Sequence, residues 1–286
     1  MIAKKIDNIR RINLHLHTNV SDGALSPAQL IKQAKQIGLD LISITDHDTM
    51  DAYHMLPADI IPLRIIPGME ISTQHQGHDV HLLALGYDFD NEALKEMTEM
   101  YLWGRRARAE KMIAALCKLG MPLTLDEVVA VSGSRELIVR PHIAQILVTK
   151  GYCVNKNEAF DKYIGNDKPA YFSKPEVKIE EAIKIVHDAK GFAIIAHPGK
   201  LAHAEYLEEF IAMGLDGIEV WHPDHYQYQV DEFTEMAINN GLYLTGGSDF
   251  HGEQDRHNLF DASPVSELVL QSVNDLWREY QCRKKL

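Results

Sequence analysis

Histidine and acidic residues stand at almost every predicted strand end of this 286-residue sequence, which contains 15 histidines. Imidazole and carboxylate groups together suit zinc, manganese and iron. In an α/β barrel, residues just beyond the strand C-termini gather on one face, where folds of this kind carry their active sites. The pattern therefore predicts a site for several metal ions. The residues that contribute to the pattern are His15, His17, Asp22, Asp46, His47, Asp48, Glu70, His81, His197, His222, Asp224, His225, Asp249 and His251.

The spacing of these residues supports a metal site. His15 and His17 are two residues apart, so on a strand both side chains point to the same face. Asp46 and His47 are adjacent and cannot both point inward; we favour His47 as the ligand, and Asp46 as its partner or a substrate contact. A single His-x-His pair is more often chance than a metal site. Burial of so many histidine and acidic side chains is costly unless they are paired or bind metal.

Seven strands separated mostly by helices must position these side chains. This alternation predicts an α/β fold with a parallel sheet, closed or nearly closed as a barrel. Helix starts are well marked, as at Ser26-Pro27, where serine precedes proline at the first helical position. The predicted strands cover residues 12–16, 41–45, 63–66, 80–87, 192–196, 217–221 and 242–245.

A helical pattern without strands interrupts the alternation in the middle of the chain. It predicts a helical insertion over residues 95–175, which divides the barrel into a first part, 1–94, and a second part, 176–286. We interpret the insertion as a cap over the substrate. Arg105, Arg106 and Arg108, at the start of this insertion, are expected to form a solvated helix face.

Composition excludes several classes of function. The chain carries a net charge of −12, so we expect no binding to nucleic acid through bulk charge and no stable binding to a duplex. Three scattered cysteines do not suggest a disulfide framework and fit a reducing compartment. No stretch resembles a cleavable signal or a membrane span. We therefore expect a cytoplasmic protein that does not bind membranes.

Six motifs in order resemble the PHP (polymerase and histidinol phosphatase) family of metal-dependent phosphoesterases. They are HLHTNVSDG, ITDHDT, PGMEIS, HDVHLLALGY, AHP and GSDFHG, and they cover both parts of the chain outside the insertion. The resemblance implies a distorted (β/α)7 barrel, which agrees with the strand count.

The resemblance also implies three divalent metal ions per chain, with manganese expected and iron or zinc as alternatives. It implies that a metal-bound hydroxide is the nucleophile. One ion would take His15, His17, Glu70 and Asp249, a second would share Glu70 and add His81 and His197, and a third would take Asp22, His47 and His251.

Three further segments narrow the resemblance to a subgroup. VRPHIAQILVTKGY, GNDKPAYF and GIEVWHPDH are similar to members that remove the 3′-phosphate of nucleoside 3′,5′-bisphosphates and trim short RNA from its 5′ end. Val139 departs from the glycine that usually precedes the RPH motif. The expected substrate is thus a small nucleotide or a short 5′-phosphorylated RNA. The predicted catalytic residues are Asp46 and His222, and the predicted substrate-binding residues are Arg140, His142, Lys168 and His225.

Alternatives remain open for these assignments. Arg140 could be an ordinary helix-start residue, Lys168 a solvated loop lysine, and His222 and His225 structural. A histidinol-phosphatase-like or general sugar-phosphate activity is a second functional hypothesis. A non-catalytic metal-binding or polymerase-associated module is a third, although every ligand position is filled.

Overall fold

The computed structural model describes residues 9–58, 60–132, 138–173, 175–252, 260–261 and 265–285. These residues form an α/β fold with two sheets. The smaller sheet is parallel and contains β1 (Ile12–Asn13), β2 (Leu41–Ile42) and β3 (Arg64–Ile65), in that order. None of the described helices is long and apolar enough to cross a membrane.

The larger sheet has six strands. They are β4 (Gly68–His75), β5 (His78–Leu85), β6 (Val177–Lys178), β7 (Phe192–Ile195), β8 (Gly217–Trp221) and β9 (Tyr243–Gly246), and their order across the sheet is β6-β4-β5-β7-β8-β9. Strands β4 and β6 are parallel, as are β7, β8 and β9. The expectation of a parallel sheet is wrong for β5, which is antiparallel to both β4 and β7.

All seven predicted strands are present, most of them shorter than predicted, whereas β4 and β6 were not anticipated. Strand β4 forms a hairpin with β5 through Gln76 and Gly77, which both have positive φ angles, of 50° and 84°. Two such residues form the turn that matches the twist of an antiparallel hairpin. The sequence had suggested that Glu70 lies beyond a strand end, whereas the structure places it inside β4.

The described part of the chain contains nine α-helices. Helix α1 begins as predicted, because the Ser26 hydroxyl accepts a hydrogen bond from the Gln29 backbone, and it ends at Gly38, whose φ is 76°. The helices are α1 (Pro27–Ile37), α2 (Glu92–Lys118), α3 (Leu125–Ser132), α4 (Arg140–Thr149), α5 (Lys156–Ala159), α6 (Ile179–Asp188), α7 (Tyr206–Ala212), α8 (Gln227–Asn239) and α9 (Glu267–Arg283).

Helix α2 contributes to two hydrophobic cores. Leu94 and Tyr101 pack into the main core around the larger sheet. Further along the same helix, Met112 and Leu116 pack into a second core formed by residues 109–170. The predicted boundary between residues 94 and 95 therefore falls inside α2, whose first turns belong with the sheet.

Backbone hydrogen bonds bring the loops that follow the strands together. The Leu14 N–H donates to the Gly246 carbonyl over 3.1 Å, and the Asp249 N–H donates to the His15 carbonyl over 3.0 Å. At β4, the Glu70 N–H donates to the Thr45 carbonyl, which follows β2, over 3.2 Å. These bonds place the segments after β1 and β9 beside each other and the segment after β2 beside β4, and many of the candidate ligands lie on these segments.

Candidate metal centre

Four predicted ligands form a compact buried group. The Nε2 atoms of His15 and His17 lie 3.3 and 3.2 Å from Oε2 of Glu70, and 3.4 and 3.2 Å from Oδ1 of Asp249. These four of the six distances in the group match the edges of a tetrahedron whose centre is about 2.0 Å from each corner, which is the bond length of zinc to histidine and carboxylate ligands, and all six are within 4.8 Å. The four atoms therefore fit a metal ion.

Glu70 extends this group toward two further histidines. Its Oε1 lies 2.8 Å from His81 Nδ1 and 3.0 Å from His197 Nε2, while its Oε2 is also 3.1 Å from His47 Nδ1. The ligand atoms of His47, Glu70 and His81 all lie within 4.8 Å of one another, as a second ion would require. His197 contacts the same carboxylate from outside this trio.

Asp22 is the acidic residue of a third group, with His17, His47 and His251. Its Oδ1 lies 3.3 Å from His251 Nε2, and its Oδ2 lies 3.9 Å from His47 Nε2. The resemblance implied that His47 binds in this group alone, whereas the structure also brings this ring to Glu70. His17 likewise belongs to two groups.

Several candidate ligand atoms at this site make no hydrogen bond. Buried polar atoms without a hydrogen bond are costly, and a bound cation would remove that cost. Among the described residues, the buried ligand atoms without a hydrogen bond are His15 Nε2, His17 Nε2, Asp22 Oδ1, His47 Nδ1, Glu70 Oε2 and His81 Nδ1. The donor set therefore fits metal ions in chemistry as well as in geometry.

The pKa values of the candidate histidine ligands fall into two groups. Burial opposes protonation of His15, His17 and His251, but neighbouring carboxylates raise the pKa of all three, that of His251 to about 10. Burial lowers the pKa of His47 to about 3 and that of His197 to about 4, so both rings are neutral at pH 7. Burial opposes ionisation of Glu70, but His47, His81 and His15 lower its pKa well below its usual range. Neutral imidazole and ionised carboxylate are the forms that bind metal.

Glu219 orients His15, and the sequence analysis missed it. Its carboxylate lies 3.0 Å from His15 Nδ1, on the side of the ring opposite the metal group, and it accepts a 2.8 Å hydrogen bond from the His197 backbone. A carboxylate in this position fixes the ring and its tautomer. Glu219 lies in the middle of the buried strand β8, and an acid there was the available signal. Gly247 lets the chain pass behind His15, because a Cβ there would lie 2.2 Å from the His15 Cβ.

Most of the chain matches the model of one known protein family. The PHP domain model matches residues 13–245. The chain belongs to the PHP family. Its members include metal-dependent phosphoesterases, and this PHP protein is accordingly a hydrolase.

Individual relatives agree with this assignment. The chain is 33% identical to a 3′,5′-nucleoside bisphosphate phosphatase from Chromobacterium violaceum, over 95% of this chain and 97% of that one. It is 30% identical to the 5′-3′ exoribonuclease Rnm from Escherichia coli, over 84% of each. The crystal structure of a protein proposed to be a metal-dependent phosphoesterase, from Bifidobacterium adolescentis, superimposes with a TM-score of 0.82 and 32% identity, over 95% of this chain and 96% of that one.

A cavity of about 370 Å³ opens beside the PHP site. It is lined by the candidate ligands Asp22, His47, His81 and His197, by the acids Asp79 and Glu176, and by the aromatic residues Phe160 and Tyr171. Its cationic residues are Arg105, Arg108, Arg140 and Lys200.

Two of these arginines correct the sequence analysis. The predicted solvated helix face is wrong for Arg105 and Arg108, which are only 5% and 8% exposed. Arg105 forms a buried ion pair with Asp48 through two of its nitrogens. The Arg108 Nε–H donates to the Phe172 carbonyl over 2.5 Å. Only Arg106, with a side chain that is 40% exposed, lies on the solvated face.

The predicted catalytic residues lie in different surroundings. Asp46 is buried and accepts hydrogen bonds from the Thr18 backbone, the Thr18 hydroxyl and the Ser21 hydroxyl at 2.6–2.7 Å. It therefore holds the loop between His17 and Asp22. His222 lies nearer the ligands, with its Nε2 3.6 Å from Asp249 Oδ2. A catalytic role for either residue stays a prediction.

The predicted substrate-binding residues also differ in their surroundings. Arg140 lines the cavity, and its guanidinium donates to Asn166 Oδ1 over 2.9 Å. His142 accepts a hydrogen bond from the Val139 backbone at Nδ1, and burial lowers its pKa to about 4. Lys168 is exposed and is not among the residues that line the cavity. His225 uses both nitrogens on backbone groups, with Nδ1 donating to Val220 and Nε2 accepting from Gly199.

Proposed function

We propose that this PHP protein hydrolyses the 3′-phosphate of nucleoside 3′,5′-bisphosphates. The observation that carries the proposal is a pair of arginines, the buried Arg108 and the partly exposed Arg140, which line the same cavity as the candidate metal ligands. Within the described part of the chain, neither forms an ion pair with a carboxylate. A substrate with two phosphates would give both the metal centre and the arginine pair an anion to bind.

The arginine pair is built to hold an anion. The guanidinium of Arg108 lies 5.5 Å from the centre of the Tyr171 ring, and that of Arg140 lies 5.7 Å from the same centre. Burial and the nearby charge of Arg140 lower the pKa of Arg108 to about 10, so both groups remain cationic at pH 7. Two like charges held close together repel each other, and a phosphate offers the oxygen acceptors that guanidinium groups bind bidentately.

We propose three metal ions, with manganese as the expected species and iron or zinc as alternatives. The nine predicted ligands would hold them, with Glu70 shared between two ions and His197 contacting the same carboxylate. When bound, such ions activate water and offset negative charge on a phosphoryl group. The protein residues orient the ligands: Glu219 holds His15, and Asp46 holds the loop that carries Asp22. His222, beside Asp249, is the remaining candidate for a direct catalytic role.

The relatives support a nucleotide or RNA substrate, since one is named a bisphosphate phosphatase and another a 5′-3′ exoribonuclease. Trimming of short 5′-phosphorylated RNA is therefore a second proposed activity. The aromatic rings of Phe160 and Tyr171 in the cavity favour it, because they offer surfaces for stacking a base. The small cavity suits single nucleotides or single strands and not a duplex.

We also propose that the two sheets form one distorted barrel of the (β/α)7 type with a helical insertion over residues 95–175. Closure is supported by the backbone bonds between the segments after β1 and β9 and by the bond from Glu70, within β4, to the segment after β2. The insertion is supported by the separate core of residues 109–170. The arginine pair would then lie where the insertion meets the metal site.

Phosphate release from a substrate panel tests the proposed activity. The Mn²⁺-loaded protein is assayed with adenosine 3′,5′-bisphosphate, histidinol phosphate and a 5′-phosphorylated RNA oligomer. We expect release from the bisphosphate at a kcat/KM at least tenfold above that for histidinol phosphate. Release from histidinol phosphate alone would contradict the proposal, and release of mononucleotides from RNA alone would leave only the second activity.

Variants of the arginine pair test the second anion site. We expect Arg108→Met and Arg140→Met each to lower kcat/KM for the bisphosphate by about 10–100-fold, because each removes a charge-assisted contact worth roughly 1.5–3 kcal/mol. Activity on p-nitrophenyl phosphate, which has one phosphate, should change less than threefold. Arg106→Met, on the exposed face of the same helix, is the matched control. Equal losses on both substrates would remove the pair from the substrate site.

A further inference from the structure

Lys200 is the cation of the cavity nearest to the candidate ligands, and the sequence analysis did not single it out. It ends the short 3-10 turn Pro198–Lys200, directly after His197. Its backbone N–H donates to the His197 carbonyl over 2.9 Å, which ties the turn to a predicted ligand. Its side chain is 33% exposed and lines the cavity beside His81 and His197.

Two carboxylates fix the position of the ammonium group. The Lys200 Nζ lies 3.1 Å from Asp224 Oδ2 and 3.3 Å from Asp249 Oδ2. Asp249 thus uses its two oxygens differently, since Oδ1 faces His15 and His17 in the tetrahedral group. An ammonium has three N–H donors. The two carboxylates account for two of them, which leaves one for a ligand in the cavity.

We infer that Lys200 is a catalytic residue that donates a hydrogen bond to a non-bridging oxygen of the phosphoryl group during its transfer. This inference rests on the proposed hydrolysis of phosphate esters but not on the identity of the nucleotide. In the reaction a bond forms between phosphorus and the oxygen of water, and the bond from phosphorus to the ester oxygen breaks. One proton passes from the water to the leaving oxygen. Lys200 keeps its proton throughout and acts only through its charge and its hydrogen bond.

The position of Lys200 favours this role over that of a simple surface ion pair. Two carboxylates already hold the ammonium of Lys200 in place, and a preorganised cation of this kind stabilises developing charge without reorganisation during the reaction. The competing explanation is that Lys200 only positions Asp249 for metal binding. The two roles differ in one measurable property, because a positioning role predicts loss of bound metal and a phosphoryl contact does not.

Replacement of Lys200 tests the inference with two substrates and two readouts besides activity. For Lys200→Met we expect kcat to fall by about 100-fold on both adenosine 3′,5′-bisphosphate and p-nitrophenyl phosphate. The Mn²⁺ content measured by elemental analysis should be unchanged. Binding of orthovanadate to the Mn²⁺-loaded protein, measured by calorimetry, should weaken at least tenfold. Lys200→Arg should recover part of both losses, and Lys184→Met, at an exposed lysine of α6, should behave like the unmodified protein.

Three outcomes would overturn the inference. They are an unchanged kcat, unchanged binding of orthovanadate, or a loss of Mn²⁺ that parallels the loss of activity. The last result would make Lys200 a positioning residue for Asp249. If the unmodified protein cleaves p-nitrophenyl phosphate but not the bisphosphate, the proposed nucleotide substrate fails while the test of Lys200 stands. If it cleaves neither, the orthovanadate measurement still decides.

Discussion

Glu70 shows how much of the site depends on one residue. Its two carboxylate oxygens lie within 3.3 Å of ring nitrogens from five histidines, namely His15, His17, His47, His81 and His197. The side chain is completely buried. A carboxylate in such surroundings is stable only when cations or hydrogen-bond donors offset its charge. The sequence marked Glu70 as a candidate ligand, but its central place depends on β4, which the sequence analysis did not anticipate.

His142 provides a prediction about pH at the scale of one residue. Its pKa is about 4 in the folded chain against 6.5 for an ordinary histidine, because most of the ring is shielded from solvent. Between these values the unfolded chain binds a proton that the folded chain does not, so stability falls as the pH drops from about 6.5 to 4. We expect His142→Asn, whose side-chain oxygen can still accept from Val139, to remove roughly 2 kcal/mol of this pH-dependent loss.

Urea unfolding of the metal-free protein at pH 7 and pH 4.5 measures this difference. His54→Asn, at an exposed position, is the matched control and should keep the pH dependence of the unmodified protein. The same pH dependence in His142→Asn and in the unmodified protein would show that burial of His142 does not exclude its proton.

Helix α2 is the element that connects the sheet to the cavity. Tyr101, Arg105 and Arg108 follow one another at helical spacing, so they share one face. The Tyr101 hydroxyl contacts the Ser72 carbonyl on β4, Arg105 binds Asp48 next to His47, and Arg108 lines the cavity. The helix therefore holds Arg108, one member of the arginine pair, at a set distance from the metal site. The sequence gives no clear apolar face for α2, because the buried face changes partners from one core to the other.

The pair Arg105–Asp48 gives a prediction at the scale of this element. Loss of one partner leaves a buried charge uncompensated, so we expect Arg105→Met to lower the free energy of unfolding by about 3 kcal/mol. Asp48→Asn in the same chain should restore part of it, because the amide oxygen can still accept the hydrogen bond from the Ser72 backbone. Urea unfolding of the single and double variants measures both effects.

Arg106→Met is the control for this cycle. Arg106 forms an exposed pair with Glu110 on the same helix, and such pairs contribute less than about 1 kcal/mol. A loss of similar size in Arg105→Met and Arg106→Met would mean that the buried ion pair does not tie α2 to the sheet.

Metal binding links the parts of the whole molecule, because the ligands come from segments between residues 15 and 251. An ion that binds only the folded chain stabilises it by about 2.7 kcal/mol at a hundredfold excess over its dissociation constant. We expect treatment with a chelator to lower the melting temperature by roughly 5–10 °C, and added Mn²⁺ to restore it. Differential scanning calorimetry with elemental analysis measures both. The melting temperature of Glu70→Gln should depend little on metal. Equal melting temperatures of the metal-free and Mn²⁺-loaded protein would contradict a ligand set drawn from segments between residues 15 and 251.

The sequence by itself determined the family, the α/β class and the chemistry of the metal site. It could do so because ligand types and their order along the chain are local properties, as are strand patterns and helix starts such as Ser26-Pro27. Only the tertiary structure decided how the ligands are shared, since Glu70, His17 and His47 come together through contacts between distant segments. It also decided that Arg105 and Arg108 are buried while Arg106 is exposed, and that Glu219 supports His15. Burial of a charged side chain depends on which distant surface packs against it, and that surface is not encoded in the neighbouring residues.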